Sequence, residues 1–247
     1  MTQNIERVVV DPALESPSRT SEPSYRGRAV KNPPQWWQRP WIIPLVLVIG
    51  AFFAYNLHRF WGKWEESQAP IPPHQGFDAY YPLLLTHMSF GAIAMITATL
   101  QVWPAIRRNR PTVHRVSGWL YVIAALVSGI AALSILRFAP PVGRIGIGLA
   151  TVVWMGTAVI GFVLARLRRY ALHRAYMLVS FVTLLSIIWG VVFVEIGLRL
   201  PVTIDMVYIG YLIEGSRWAG WVVNLLILQW WLYRTAGKPL DLPQHAR

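Results

Sequence analysis

The chain has 247 residues, 55% of them hydrophobic and 14% charged, with no cysteine and a formal net charge of +12; its mean hydropathy is +0.41. Soluble domains carry roughly 25% charged residues, so the composition marks a membrane protein. The missing thiols exclude disulfides, iron–sulfur clusters and thiolate catalysis.

Residues 1–38 are rich in Pro, Ser and charge and lack the apolar core of a signal peptide, so they are expected to form a disordered cytosolic tail. Residues 39–234 hold six apolar blocks, at 41–59, 81–104, 114–136, 143–166, 173–198 and 218–233. Each matches the length that a hydrocarbon core of about 30 Å demands of a helix rising about 1.5 Å per residue. With no water at that depth, backbone groups must be satisfied within the segment, and the blocks are too long and uniform for barrel strands. The predicted fold is an all-α polytopic membrane bundle of about six transmembrane helices. Spans two to five form its core, the first and sixth pack around them, and residues 235–247 form a short cytosolic tail. Many of the 13 tryptophans sit at block ends, among them Trp41, Trp61, Trp218 and Trp231, at the depth amphipathic rings prefer.

Orientation follows from the basic residues. With both termini in the cytosol, the two tails and the turns at 107–115 and 166–174 carry 17 Lys/Arg against five Asp/Glu, and the other side carries six of each. The whole excess of 17 − 5 = 12 then lies on one face, as expected of a multi-pass protein in a bacterial inner membrane. That removes a nucleic-acid reading. The basic turns are topology signals available to anionic lipid headgroups.

The two turns echo each other. Arginines precede His114 by seven, six and four residues (Arg107, Arg108, Arg110) and His173 by seven, five and four (Arg166, Arg168, Arg169); Arg115 and Arg174 follow directly. Spans two and three therefore read as a hairpin repeated as spans four and five, in the parallel sense, about an axis along the membrane normal. Such an axis places His114 and His173 at equal depth, each opening a helix. Below His114, one face carries Gly118, Tyr121, Ala125, Ser128 and Ala132, a stripe of mostly small residues that admits either a neighbouring helix or a flat ligand. His87 lies inside the second span, where an ionisable group is a functional-site hypothesis by default. Its alternative is an interhelical hydrogen bond to a serine, a threonine or a carbonyl. Glu195 and Arg199, one turn apart, are expected to pair. No span carries the buried carboxylates of a cation pathway, and no hydrolytic motif is present.

His87 with Gly91, Val102-Trp103-Pro104 with the arginine run, His114-Arg115-x-x-Gly118-x-x-Tyr121, and His173-Arg174 with Met177 give residues 84–188 a distinctive ordered pattern. It resembles the bacterial membrane proteins grouped as domain of unknown function 2306, a resemblance that implies a family but no activity. A looser analogy is to b-type membrane cytochromes, which clamp haem between histidines on neighbouring helices. It implies haem b held by His114 and His173 beside Gly118, with quinone or another redox partner near His87. Electron transfer of this kind is one expectation. A non-enzymatic assembly or lipid-binding protein, with Arg115 and Arg174 on headgroup phosphates, is a second, and a small-molecule transporter a third.

Overall fold

The protein, seen in a computed structural model, is described here over residues 42–60 and 76–235. The expected tails, Trp41, Trp61, His74 and His245 lie outside the described residues. Seven helices follow in order: α1 Ile42–Phe60, α2 Tyr80–Val102, α3 Pro104–Asn109, α4 Pro111–Ile135 with a 3₁₀ turn Leu136–Phe138, α5 Arg144–Arg166, α6 Tyr170–Gly197 and α7 Met206–Thr235. No strand occurs among the described residues.

Two prolines shape the first basic turn. A residue before proline is pushed out of the α region. Trp103 accordingly has φ −76°, ψ 111° and Arg110 φ −136°, ψ 63°, while Pro104 and Pro111 each open a helix, where the missing N–H is harmless. The turn expected at 107–115 thus contains a six-residue helix, and α4 begins three residues earlier than the apolar block. His114 is the fourth residue of α4 rather than its first, and His173 likewise the fourth of α6. The second turn is tighter. Arg169 N–H reaches back to the Leu164 carbonyl at 2.9 Å, and Arg168 takes the left-handed conformation at φ 59°, a helix ending that glycine usually fills.

Four helices, α2, α4 with its 3₁₀ extension, α5 and α6, are long and apolar enough to cross a membrane; α1 is apolar over the shorter stretch Ile42–His58. The sixth block belongs to a much longer helix. Asp205 Oδ1 accepts the Tyr208 N–H at 2.7 Å and starts α7 at Met206, three turns ahead of the expected position. Glu214 and Arg217 interrupt the apolar pattern there. Both clamp the α4–α5 loop: Glu214 accepts from the backbone N–H of Gly143 and from Trp218 Nε1, and Arg217 donates to the Val142 carbonyl. Gly143, at φ 73°, lets the chain turn there, and any Cβ would meet the Arg217 side chain.

The helices pack as α2 with α4 and α5 with α6, with α7 against α6 and α4 against α5. Their core is built of small residues around two large rings: Ala94, Ala98, Ala124, Ala125 and Ala158 with Tyr121 and Trp154. Large apolar side chains face outward instead, Leu47 at 66% and Leu226 at 66% exposure, while Ser128 and Ser180 are fully buried. Large aliphatics outside and small or hydroxylated residues inside are what a bundle in lipid requires, since lipid already solvates leucine and close helix approach comes from small side chains. α1 joins through Ile49, packed with Met95 of α2 and Ile188 of α6. Tyr55 of α1 donates to Glu195 at 2.7 Å. Glu195 also pairs with Arg199 at 2.6 Å, as the spacing predicts.

Candidate site at the arginine-rich end

Antiparallel packing brings both basic turns and the end of α7 to one end of the bundle. Arg107, Arg108, Arg110 and Arg115 gather there with Arg166, Arg168, Arg169, Arg174 and Arg234. No acidic residue occurs between Asp78 and Glu195. The carboxylates of the described residues, Asp78, Glu195, Asp205 and Glu214, all belong to segments at the opposite end. Two aromatic contacts organise the basic end: the Arg174 guanidinium lies 5.1 Å from the ring centre of Trp231, and that of Arg234 4.9 Å from Trp230. Such stacking holds a guanidinium while leaving its N–H edges available to phosphate oxygens. Arg115 is exposed.

The two histidines sit on α4 and α6 close enough to interact electrostatically. His173 has a backbone anchor, Nδ1 bonding the Gly161 carbonyl of α5 at 2.7 Å. A carbonyl only accepts, so Nδ1 carries the proton and Nε2 keeps its lone pair. His114 is held through its backbone: Gln101 of α2 donates to its carbonyl and to Ser117 Oγ, both at 2.6 Å. Its own Nδ1 is buried without a hydrogen-bond partner.

Two turns deeper, Tyr121 Oη and Ser180 Oγ are 2.5 Å apart. Trp154 Nε1 donates to Tyr121 Oη at 3.0 Å, and Ser180 donates to the Trp154 carbonyl at 3.0 Å. Tyr121 and Ser180 are 59 residues apart, the same offset as His114 and His173 (173 − 114 = 59). At this one offset Tyr121 and Ser180 bond directly, and His114 and His173 lie within electrostatic range, across the α4–α6 boundary.

The small stripe on α4 is filled. A Cβ on Gly118 would lie 3.5 Å from the Gln101 amide, and one on Gly91 would lie 3.3 Å from Ser128 Oγ. Met177 plays the matching part on α6, its sulfur 2.6 Å from where a Cβ on Gly161 would sit. The space that the cytochrome analogy gave to a macrocycle is thus occupied by Gln101 and Met177. His87 stands apart, in the half of the bundle away from the arginines. Its Nδ1 is 3.0 Å from both the Ser128 carbonyl and Ser128 Oγ, and Ser128 donates to the His87 carbonyl at 2.9 Å, which is the interhelical bond anticipated as the alternative to a functional role. Met155 is packed over Gly129.

Gln101, Trp154 and Ser180 carry the polar contacts of this region, and the motifs point to none of them. Ser180 was within reach, since adding the repeat offset to Tyr121 lands on it. Among the described residues no three His, Asp or Glu side chains are grouped to hold a metal ion.

Removing the Tyr121 hydroxyl leaves the Trp154 N–H without its acceptor, in a core with no water to replace it. Tyr121→Phe is expected to cost about 1–2 kcal/mol, read as a lower melting temperature in detergent. Combined with Ser180→Ala, the loss should fall short of the sum of the single effects; full additivity would show that the two hydroxyls are not coupled.

Comparison with known proteins adds one result. The model of a family described as predicted membrane proteins, DUF2306, matches residues 84–232, reaching from the first turns of α2 through most of α7 and so beyond the 84–188 core of the sequence resemblance. No match was found among curated proteins or solved structures, and nothing in these comparisons supports the cytochrome analogy. With well over half of its length inside the match, spanning both histidine helices and the basic turns, the chain belongs to the DUF2306 family of predicted membrane proteins.

Proposed function

We propose that the protein is a non-enzymatic module of a bacterial inner membrane, with six spans and both termini in the cytosol, whose arginine-rich face binds anionic lipid headgroups. The observation that carries this reading is the segregation of nine arginines at one end of the described bundle, eight of them in turns within a stretch, residues 79–194, that contains no carboxylate. Basic residues at headgroup depth attract anionic lipid, at about 1 kcal/mol for each one near the surface. The left-handed Arg168 supports the same reading: a charged side chain occupies a turn position that glycine would take at less conformational cost. In the core, the tyrosine, serine and histidine contacts serve packing.

Orientation is testable without background labelling, because the chain has no cysteine. An impermeant maleimide should reach Arg168→Cys only from the cytosolic side and Val202→Cys only from the other. The reverse pattern would overturn the proposed topology. For lipid binding, Arg168→Gln and Arg169→Gln should each weaken retention of phosphatidylglycerol by roughly fivefold, about 1 kcal/mol, and phosphatidylcholine retention should not change. Equal retention by wild type and variants would sink the headgroup reading.

The histidine pair favours a second reading, b-type haem between His114 and His173. His173 is oriented by a backbone carbonyl in the manner of many metal-bound histidines, and His114 has an unpartnered ring nitrogen. Bound there, haem would supply one-electron chemistry; Gln101 and Met177 would have to swing aside to admit it. The visible spectrum of protein expressed with ample haem decides. A Soret band lost in the His114→Ala, His173→Ala double variant supports haem, and absence of the band in wild type eliminates it.

A further inference from the structure

The arginine-rich end contains buried ring nitrogens that have no hydrogen-bond partner. Trp103 Nε1 and His114 Nδ1 are both shielded from solvent, and neither has a hydrogen-bond partner. An indole N–H can only donate, and a histidine ring nitrogen that carries a proton does likewise. Gln101, two residues before Trp103, donates to the His114 carbonyl at 2.6 Å, so the end of α2 that leads into Trp103 packs against the first turn of α4. Arg107, Arg115 and His173 all lie within electrostatic range of the His114 ring. The nearest sequence carboxylates, Asp78 and Glu195, belong to segments at the other end of the bundle. Backbone acceptors are committed as well, the His114 carbonyl to Gln101 and the Gly161 carbonyl to His173. A buried donor normally has a partner. Donors gathered under positive charge, at the depth of the headgroups, call for an oxygen anion from outside the chain.

We infer that Trp103 and His114, with Arg107 and Arg115 supplying charge, form a defined site for one phosphate group at the mouth of the α2–α4 hairpin. The inference rests on the reading of this end as a cationic surface for anionic lipid headgroups and sharpens it. Most arginines there meet headgroups in a loose, salt-screened layer, whereas this site holds one phosphate by directed hydrogen bonds. Exposed Arg115 presents a forked set of N–H groups suited to phosphate oxygens. The site lies beside the histidine pair, so its occupant would also sit next to His173.

Two sources could provide the phosphate, a phospholipid headgroup or free inorganic phosphate, and one experiment separates them. Delipidated full-length protein in detergent is titrated with phosphatidylglycerol, with and without millimolar inorganic phosphate, and bound lipid is counted by native mass spectrometry. Wild type should retain one phosphatidylglycerol that survives high salt. Trp103→Phe and His114→Ala should each reduce that tightly held species about fivefold or more. His114→Asn, which keeps an N–H donor, should restore much of it, a result that loss of packing alone would not give. Competition by inorganic phosphate would assign the site to the phosphate group itself, and retention despite it would assign the site to the whole headgroup.

Salt-resistant retention unchanged in Trp103→Phe and His114→Ala would overturn the site, even if Arg168→Gln and Arg169→Gln still weakened total lipid binding. In that outcome the general lipid reading survives without the pocket. Loss of neither would remove both. Should His114→Ala fail to fold, as judged by its elution and melting temperature, the milder Trp103→Phe and His114→Asn carry the comparison.

Discussion

A hydroxyl or imidazole inside hydrocarbon has no solvent to bond, so every polar side chain in the bundle must find its partner on another turn or another helix. The contact of Tyr121 with Ser180 and Trp154 is where that demand joins three helices at once. It spans α4, α5 and α6 at a depth where small residues would otherwise let these helices slide past one another. Several other buried polar groups follow the same rule in pairs, His87 with Ser128, Gln101 with Ser117, Asn224 with the Val182 carbonyl, whereas ring nitrogens of Trp103, His114 and Trp221 are buried without a partner. Helix register in a core of alanines, where shape alone discriminates poorly, is set by these directed bonds.

The polar contacts follow the 59-residue offset between the two basic turns. Tyr121 bonds Ser180, and His114 lies within electrostatic range of His173. The surroundings of the two histidines differ. Gln101 holds the backbone of one, whereas the other ring is anchored to a carbonyl of α5. The pair is thus asymmetric: one ring is fixed and the other retains an unsatisfied nitrogen.

Much of this was legible in the sequence because hydropathy reports lipid contact directly. The four long apolar helices, the basic turns and the Glu195–Arg199 pair follow from run length and charge position. Helix ends were less legible. Pro104 and Pro111 made the first turn into a short helix, and Asp205 began α7 well ahead of its apolar part, because a cap and a proline act locally while a hydropathy window averages over five turns. The alternatives posed by the small stripe also lay beyond a single sequence. Glycine facing a ligand and glycine facing a neighbouring side chain look identical until the neighbour is known, and for Gly118 and Gly161 the neighbours are Gln101 and Met177. Trp103 enters the sequence pattern only as part of Val102-Trp103-Pro104, because thirteen tryptophans suggest interfacial anchoring as a class, and a buried indole nitrogen without a partner sets it, with Trp221, apart.

The charge distribution and the buried donors converge on the same end for one physical reason. Positive-inside topology needs only that basic residues stay in the cytosol, a requirement met by any arginine in a flexible turn. It does not require Arg168 to occupy a left-handed position, Arg174 to stack on Trp231, or Trp103 and His114 to turn polar atoms inward. The left-handed Arg168 backbone and the unpartnered buried nitrogens each have a conformational or desolvation cost that topology alone leaves without return, whereas the stacking of Arg174 on Trp231 is itself favourable. An anion at this end, as proposed, would give the buried nitrogens a partner. The feature that distinguishes a binding face from a topology signal is therefore the order of the arginines and the burial of their neighbours, rather than the number of positive charges.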